Sequence, residues 1–199
     1  CFLFVRGVVD SPDLSLNISR EMLQHDRQLK VIANNLEKKI KSELKKLLDE
    51  DRDAYTKFWK TFGILIKYGV AGDYGMKKEL LKDLLVYENS FEDGLLSLEE
   101  YTAKMPESQK VIYYATAESI QRAAALPQTE QVRDAGFGIL YMTDDIDDFV
   151  VRILDSYNGK KFCNVVTDDL GFETDDEKKV AEERDIENRE LLNFIKEAA

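Results

Sequence analysis

The stretch Phe137–Tyr157, FGILYMTDDIDDFVVRILDSY, contains a predicted strand, a turn and a helix in direct succession. Its first part, Phe137–Met142, is mostly apolar and has the length of a strand that is covered on both faces. The turn Thr143–Asp145 supplies capping side chains for a helix over Ile146–Tyr157, whose apolar positions recur at helical spacing. This unit predicts a parallel sheet whose connections are helices.

Strands and helices of similar length continue on both sides of this unit. Pro127 separates two short helices, and Asn158-Gly159 turns the chain into a last strand. These flanking elements are predicted at 110–116 (strand), 117–125 and 130–135 (helices) and 162–166 (strand). Strands that alternate with helices pair in parallel and are joined by right-handed crossovers. We expect a small α/β/α sandwich with a mainly parallel sheet over residues 106–172.

Residues 26–105 carry the pattern of a helical bundle. Apolar residues recur at intervals of three and four, which predicts amphipathic helices at 26–49, 52–67, 76–87 and 97–104. The second helix has an aromatic stripe that favours a packed core over a ligand site. Short connections let each apolar stripe bury against its neighbour. The predicted fold class is therefore α/β and helix-rich, a helical bundle followed by the small sandwich.

The composition excludes several classes of protein. The chain is 44% apolar and 34% charged, which is typical of a globular protein, and it lacks a run of about 18 apolar residues that could cross a membrane. A net charge of −11 argues against a nucleic-acid surface. Five lysines on the first predicted helix, at 38, 39, 41, 45 and 46, are interpreted as its solvated face rather than as phosphate contacts.

Cysteine and histidine usage argues against metal chemistry. Cys1 and Cys163 have neither metal-ligand spacing nor a disulfide framework, and we expect reduced thiols in a cytoplasm. His25 is the only histidine, so a His-cluster metal site is excluded. Because the chain starts at Cys1, directly before a strand-like segment, Phe2–Val9, we expect a fragment whose sheet partners lie upstream.

The segment Asp10–Arg27, DSPDLSLNISREMLQHDR, is a candidate functional loop. If its second half is helical, Arg20 and Gln24 lie on one face, about 6 Å apart along the axis. Two interpretations stay open. Arg20 either forms a surface ion pair with a carboxylate such as Glu21 or Asp13, or it is directed at a phosphate with Gln24 as second donor.

Five stretches closely resemble the middle domain of the heat-shock-protein-90 chaperone family, in its bacterial form. They are 4–11 (FVRGVVDS), 16–24 (LNISREMLQ), 58–67 (FWKTFGILIK), 112–118 (IYYATAE) and 139–149 (ILYMTDDIDDF). The resemblance covers essentially the whole chain. It implies a middle-domain fragment of a cytoplasmic, ATP-driven chaperone.

The resemblance implies specific roles for the candidate loop. In that family an arginine and a glutamine of this loop reach the γ-phosphate of ATP held by a separate N-terminal domain, and the matching residues are Arg20 and Gln24, with Asn17 beside them. ATP and Mg²⁺ would be cofactors of the full-length protein. Because no glycine-rich phosphate loop occurs in this sequence, the fragment alone is expected to bind no nucleotide and to be inactive as an ATPase.

The resemblance also implies that Asp148, Phe149 and Arg152 lie on a surface that holds unfolded client protein. The alternative is that Phe149 is buried against the sheet, since the helical period places it at the border of the core face. The neighbouring acidic residues could attract magnesium. Helix capping by Asp144 and Asp145 is the preferred interpretation, and no metal site is predicted.

The expected organisation has four parts. Residues 1–25 end the large α/β segment with the catalytic loop, 26–105 form a helical coil segment, 106–172 form the small α/β/α subdomain, and 173–199 form a linker and first helix towards a C-terminal dimerisation domain.

The implied partners are unfolded client proteins, the protein's own N-terminal ATPase and C-terminal dimerisation domains, and a second copy in the full-length homodimer. Neither nucleic acid nor membrane is expected. The alternative function is a non-catalytic scaffold module that binds clients or partners.

Overall fold

The computed structural model describes Phe2, residues 4–10 and residues 27–170. Contacts group Cys1–Val166 into one compact unit and Thr167–Ala199 into a second one. All helices and strands named here belong to the first unit. The helices are α1 (Arg27–Glu50), α2 (Arg52–Ala71), α3 (Lys78–Leu81), α4 (Leu98–Lys104), α5 (Ile120–Ala124), α6 (Pro127–Asp134) and α7 (Asp147–Leu154). The strands are β1 (Val86–Asn89), β2 (Leu95–Ser97), β3 (Ile112–Thr116), β4 (Ile139–Met142), β5 (Ser156–Tyr157) and β6 (Lys160–Asn164).

The two long helices form where the apolar spacing predicts them. Asp51 separates them and caps α2, because its carboxylate accepts a hydrogen bond from the Ala54 N–H at 3.0 Å. At the other end, the N–H of Gly72 bonds to the carbonyl of Tyr68. The predicted end of this helix is therefore four residues short of the observed one.

The aromatic stripe of α2 is core, as predicted. Tyr55 is fully buried, and its hydroxyl donates to the Leu84 carbonyl at 2.5 Å. Its ring stacks on Trp59 with centroids 6.3 Å apart, and Phe58 packs against the same cluster. Buried aromatic rings of this size contribute much of the apolar area that stabilises a fold.

The prediction of a helix over residues 76–87 is wrong for the second half of that range. Helix α3 ends at Leu81, a 3₁₀ turn spans Lys82–Leu84, and β1 begins at Val86. Val86 and Tyr87 are both buried, as in a strand covered on two faces. A short apolar run does not distinguish such a strand from a buried helix, and pairing with distant strands decides between them.

The start of α4 agrees with the sequence prediction. The Ser97 hydroxyl accepts from the Glu100 N–H at 3.2 Å, and the Glu100 carboxylate accepts from the Ser97 N–H at 2.8 Å. This reciprocal pair is a capping box, which satisfies two backbone donors that the first turn leaves without helical partners.

The six strands form one open sheet in the order β2-β1-β4-β3-β6-β5. Strands β4, β3 and β6 pair in parallel, with Tyr114 opposite Leu140 on one side and Asn164 on the other. Strand β1 is antiparallel to both β2 and β4, and β5 is antiparallel to β6. Strands β2, β4, β3 and β6 therefore run in one direction. The predicted class, a helical bundle followed by a mainly parallel sheet, is confirmed.

Several further element predictions differ from the structure in their bounds: α5 begins at Ile120 rather than at residue 117, α6 at Pro127 rather than at residue 130, and β6 at Lys160 rather than at residue 162. The strand predicted over Phe2–Val9, with sheet partners upstream, is not formed at its start, where the Val5 N–H donates to the Phe2 carbonyl at 3.0 Å and the Phe4 ring packs against Phe58 and Phe62, with centroids 5.5 and 4.9 Å away. Helix α7 ends at Leu154 rather than at residue 157, since Asp155 adopts a left-handed φ of 64° and the chain turns into β5.

Asp83 links α1 to β5. Its carboxylate contacts the Lys41 ammonium at 2.6 Å and accepts from the Tyr157 hydroxyl at 3.1 Å. Burial by itself would raise the pKa of Asp83, but the hydrogen bond and charge of Lys41, with help from Tyr157, outweigh burial and lower it. The folded state therefore keeps this carboxylate ionised at a pH where the unfolded chain is protonated, so its contribution to stability is lost as pH falls below about 4.

We expect Asp83→Asn to lower the free energy of unfolding at pH 7 by about 1 kcal/mol and to make stability fall less steeply on the acid side. Urea unfolding between pH 7 and pH 2 measures both effects. Asp49→Asn, which removes a more exposed partner of Lys45, is the matched control and should change little. An acid limb as steep as that of the unsubstituted protein would contradict the prediction.

Candidate functional site

Helix α7 begins without the predicted caps. Its N-cap residue is Ile146, and no side chain caps the helix from that position, so the expectation that Asp144 and Asp145 cap α7 is wrong. The hydrogen bond runs the other way: the carboxylate of Asp147, inside the helix, accepts from the Asp144 N–H at 3.1 Å. The carboxylate of Asp144 is engaged elsewhere.

The Asp144 carboxylate contacts the ammonium of Lys67, a residue of α2. The Lys67 Nζ lies 2.7 Å from Asp144 Oδ2, 2.7 Å from Asp147 Oδ1 and 3.0 Å from Asp147 Oδ2. Lys67 is 4% exposed and Asp147 is fully buried, whereas the Asp144 side chain is 45% exposed. A buried ammonium is therefore held between two carboxylates at the start of α7.

Aromatic rings line this ion cluster. The Lys67 Nζ lies 4.9 Å from the centroid of Tyr87 on β1 and 5.8 Å from that of Trp59, which lies eight residues before Lys67 on α2. Such positions favour a cation over the ring faces. Burial raises the pKa of Asp147, although the charge and hydrogen bond of Lys67 oppose the shift. The cluster thus joins α2, β1 and α7.

A second contact holds the other end of α7. The Lys78 ammonium donates to the Ile153 carbonyl at 2.9 Å. Gly75 adopts φ +78°, and a Cβ built on it would lie 2.5 Å from Ile153 Cγ2, so the turn at 72–75 approaches the helix closely because this position has no side chain. Both ends of α7 are therefore anchored to the segment that runs from α2 to α3.

Between these anchors, the predicted client residues lie on the accessible side of the helix. Phe149 is 53% exposed, Arg152 is exposed and Asp148 is half-buried, whereas Val150 and Val151 are buried. Residues three and four apart on a helix are surface neighbours, so the three side chains form one face. The alternative, in which Phe149 is buried against the sheet, is wrong. The other predicted site residues, Arg20, Gln24 and Asn17, lie outside the residues that the structure describes.

Lys67 is the site residue that sequence reasoning missed. It continues the i+4 row formed by Tyr55, Trp59 and Gly63, which faces the core. A lone lysine on an apolar row is the available signal, since a buried ammonium requires carboxylate partners. Those partners lie 77 and 80 residues further along the chain.

Two observations concern the residues that the structure describes. Among them, no group of three or more histidine, cysteine, aspartate or glutamate side chains is placed to hold a metal ion. None of their helices combines the length and the apolar character that a bilayer span needs. The fold and the site together define a mixed α/β module that presents one helix face anchored at both ends.

Comparison with known proteins identifies the family. The sequence model described as "Hsp90 protein" matches residues 1–199. The chain is 54% identical over 195 residues to the chaperone protein HtpG of Bacillus subtilis (strain 168), which covers 98% of this chain and 31% of that protein. It is 52% identical over 196 residues to the chaperone protein HtpG of Clostridium acetobutylicum and 54% identical over 196 residues to that of Oceanobacillus iheyensis. Each of these matches also covers 98% of this chain and 31% of the relative.

The chain therefore belongs to the Hsp90 protein family. It spans about a third of the length of the relatives it matches.

We expect Gly75→Ala to lower the free energy of unfolding by about 1–2 kcal/mol or more. The alanine would have to adopt the left-handed backbone conformation of Gly75, and its Cβ would press on the Ile153 side chain. Gly72→Ala is the matched control: Gly72 has φ −66° and open space around a built Cβ, so a neutral or slightly stabilising effect is expected. Thermal unfolding of both variants measures the difference. Equal stability of the two variants would rule out the close approach of this turn to α7.

Proposed function

We propose that this chain is the middle segment of an ATP-dependent molecular chaperone that acts in the cytoplasm. In this proposal it makes two contributions: an arginine that acts on ATP bound by an N-terminal domain, and a surface for unfolded client proteins. The observation that supports the client surface most directly is the exposed ring of Phe149 on a helix anchored at both ends. Membership of the Hsp90 family supports the arginine assignment. The four-part division of the chain at residues 25, 105 and 172 is part of the same proposal.

The chemistry of the client surface follows from its composition. Unfolded polypeptides expose apolar side chains that folded proteins bury, and an accessible aromatic ring offers a large apolar area with little loss of conformational freedom on binding. Asp148 and Arg152 provide one charge of each sign beside the ring. A surface with a single aromatic contact and mixed charges binds many sequences weakly, which suits a chaperone with varied clients.

The arginine assignment places a permanent positive charge against the γ-phosphate. A guanidinium keeps its charge at neutral pH and presents several donors in one plane, so it stabilises the negative charge that develops during phosphoryl transfer. In this proposal Gln24 adds an uncharged donor, and Asn17, three residues before Arg20 in the sequence, assists. ATP and Mg²⁺ would be held by the N-terminal domain, and the complete protein would act as a homodimer through its C-terminal domain.

In the complete protein, we expect Arg20→Ala to lower ATP turnover about a hundredfold or more while nucleotide affinity stays nearly unchanged. Steady-state hydrolysis and equilibrium nucleotide binding measure the two quantities. Arg122→Ala, which removes an exposed arginine of α5, is the control and should have no effect. Unchanged turnover of Arg20→Ala, with client binding retained, would assign the chain to the alternative function, a non-catalytic scaffold.

We expect Phe149→Ala to weaken binding of an unfolded client about tenfold without loss of stability, because the ring is largely accessible and the buried side of α7 is untouched. Reduced, alkylated α-lactalbumin serves as a permanently unfolded probe, and fluorescence anisotropy gives the Kd. Leu36→Ala, which shortens a similarly exposed apolar side chain on α1, is the control. Equal Kd values for the two variants would refute the client surface.

A further inference from the structure

We propose that Lys67 is a positioning residue for the client surface: its buried ammonium sets the direction in which Phe149 projects by holding the first turn of α7. This inference rests on the proposed function, because the direction of Phe149 matters only if that ring binds clients. It assigns a role to a side chain that lies on a different helix and touches neither ATP nor client.

The contacts at the start of α7 support this role. The helix has no side-chain cap, and its first turn is held by the Asp147 carboxylate and by the Asp147 N–H, which donates to the Asp144 carbonyl at 2.9 Å. Both carboxylate oxygens of Asp147 lie within 3.0 Å of the Lys67 Nζ, and one of them also accepts from the Asp144 N–H. Phe149 follows Asp147 by two residues. Both residues belong to one eight-residue helix, so a rotation of its first turn that displaces this carboxylate would also turn Phe149.

An ion pair fixes the rotation of α7 more closely than apolar packing does. An α-helix rotates about 100° per residue, and Phe149 lies between the exposed Arg152 side and the buried Val150. Apolar contacts are non-directional, so they permit a small rotation that would bring the ring towards the core. Charge-assisted hydrogen bonds depend on distance and angle, and a buried pair cannot shift without leaving a charge without a partner.

The rest of the cluster limits the movement of Lys67 itself. Its Nζ is held over the Tyr87 ring at 4.9 Å, and Tyr87 belongs to β1, which pairs with a strand on each side. Asp144 supplies the second carboxylate from the loop before α7. At the other end, Lys78 and Gly75 hold Ile153. Release of the Lys67 contacts would therefore free the start of α7 while its end stays fixed.

The test combines Lys67→Met with Phe149→Ala in the complete protein. Lys67→Met keeps the apolar stem and removes the charge. We expect it to weaken binding of reduced, alkylated α-lactalbumin about tenfold in the otherwise unchanged protein and to have no further effect in the Phe149→Ala background. Additive losses would overturn the proposal, since Lys67 would then act on binding by a route that does not pass through Phe149.

Hydrogen exchange separates positioning from general loss of stability. We expect Lys67→Met to raise amide exchange in residues 144–150 at least tenfold more than in β3 and α6. Val132→Ala, which creates a cavity at a fully buried site of α6, is the control for stability and should leave both the Kd and the exchange of α7 unchanged at the same fraction folded. A uniform rise in exchange throughout the Lys67→Met protein would overturn the proposal.

Asp144→Asn is the second variant, for the case in which Lys67→Met does not fold. It removes only the half-exposed carboxylate, so we expect a smaller change of the same kind, with selective exchange at the start of α7 and a Kd raised two- to threefold. No selective exchange in Asp144→Asn would count against positioning. If Phe149→Ala alone leaves the Kd unchanged, the proposed client surface fails, and selective exchange in Lys67→Met still decides whether Lys67 holds α7.

Discussion

The contact on which the structure most depends is the buried ammonium of Lys67 between the carboxylates of Asp144 and Asp147. Removing an ammonium and a carboxylate from water costs several kcal/mol for each ion, and only close, well-oriented contacts offset that cost. Here the distances are 2.7–3.0 Å, and the ammonium is buried beside the rings of Tyr87 and Trp59. The contact joins residues about 80 positions apart, so it holds the long helix α2 to the helix that follows β4.

The sheet makes a second connection between the same two regions. Strand β1 leaves the helical part of the chain and pairs with β4, where Glu88 lies opposite Tyr141 and Asn89 opposite Leu140. Through this pairing the hairpin β1–β2 extends the parallel core of the sheet. Tyr87 is central to both connections, because its backbone belongs to β1 and its ring lies beside the Lys67 ammonium. The helical and sheet regions therefore share one buried core, and α7 is fixed to both.

The two proposed tasks place different demands on the chain. The proposed client surface is a short helix on a rigid base, so its accessible ring keeps a defined direction while the charges beside it stay hydrated. The proposed arginine lies in a segment between Asp10 and Arg27 and would meet a nucleotide carried by another domain. Binding residues on loops and helix faces positioned by a rigid scaffold are common, since the scaffold can bear the cost of ordering them. In this chain the scaffold is the combination of α2, β1 and the parallel strands.

The amino-acid sequence alone determined the elements whose signals are local. The apolar spacing predicts α1 and α2, the helix predicted at 97–104 forms with a capping box of Ser97 and Glu100, and the apolar runs at 112–116 and 139–142 are parallel strands. Resemblance in sequence was sufficient to name the family. Only the tertiary structure decided that residues 86–89 are a strand, that Asp144 pairs with Lys67 instead of capping α7, and that Phe149 is accessible. Each of these depends on a partner distant in the chain, and a local pattern of residue types carries no information about which distant group will be adjacent after folding.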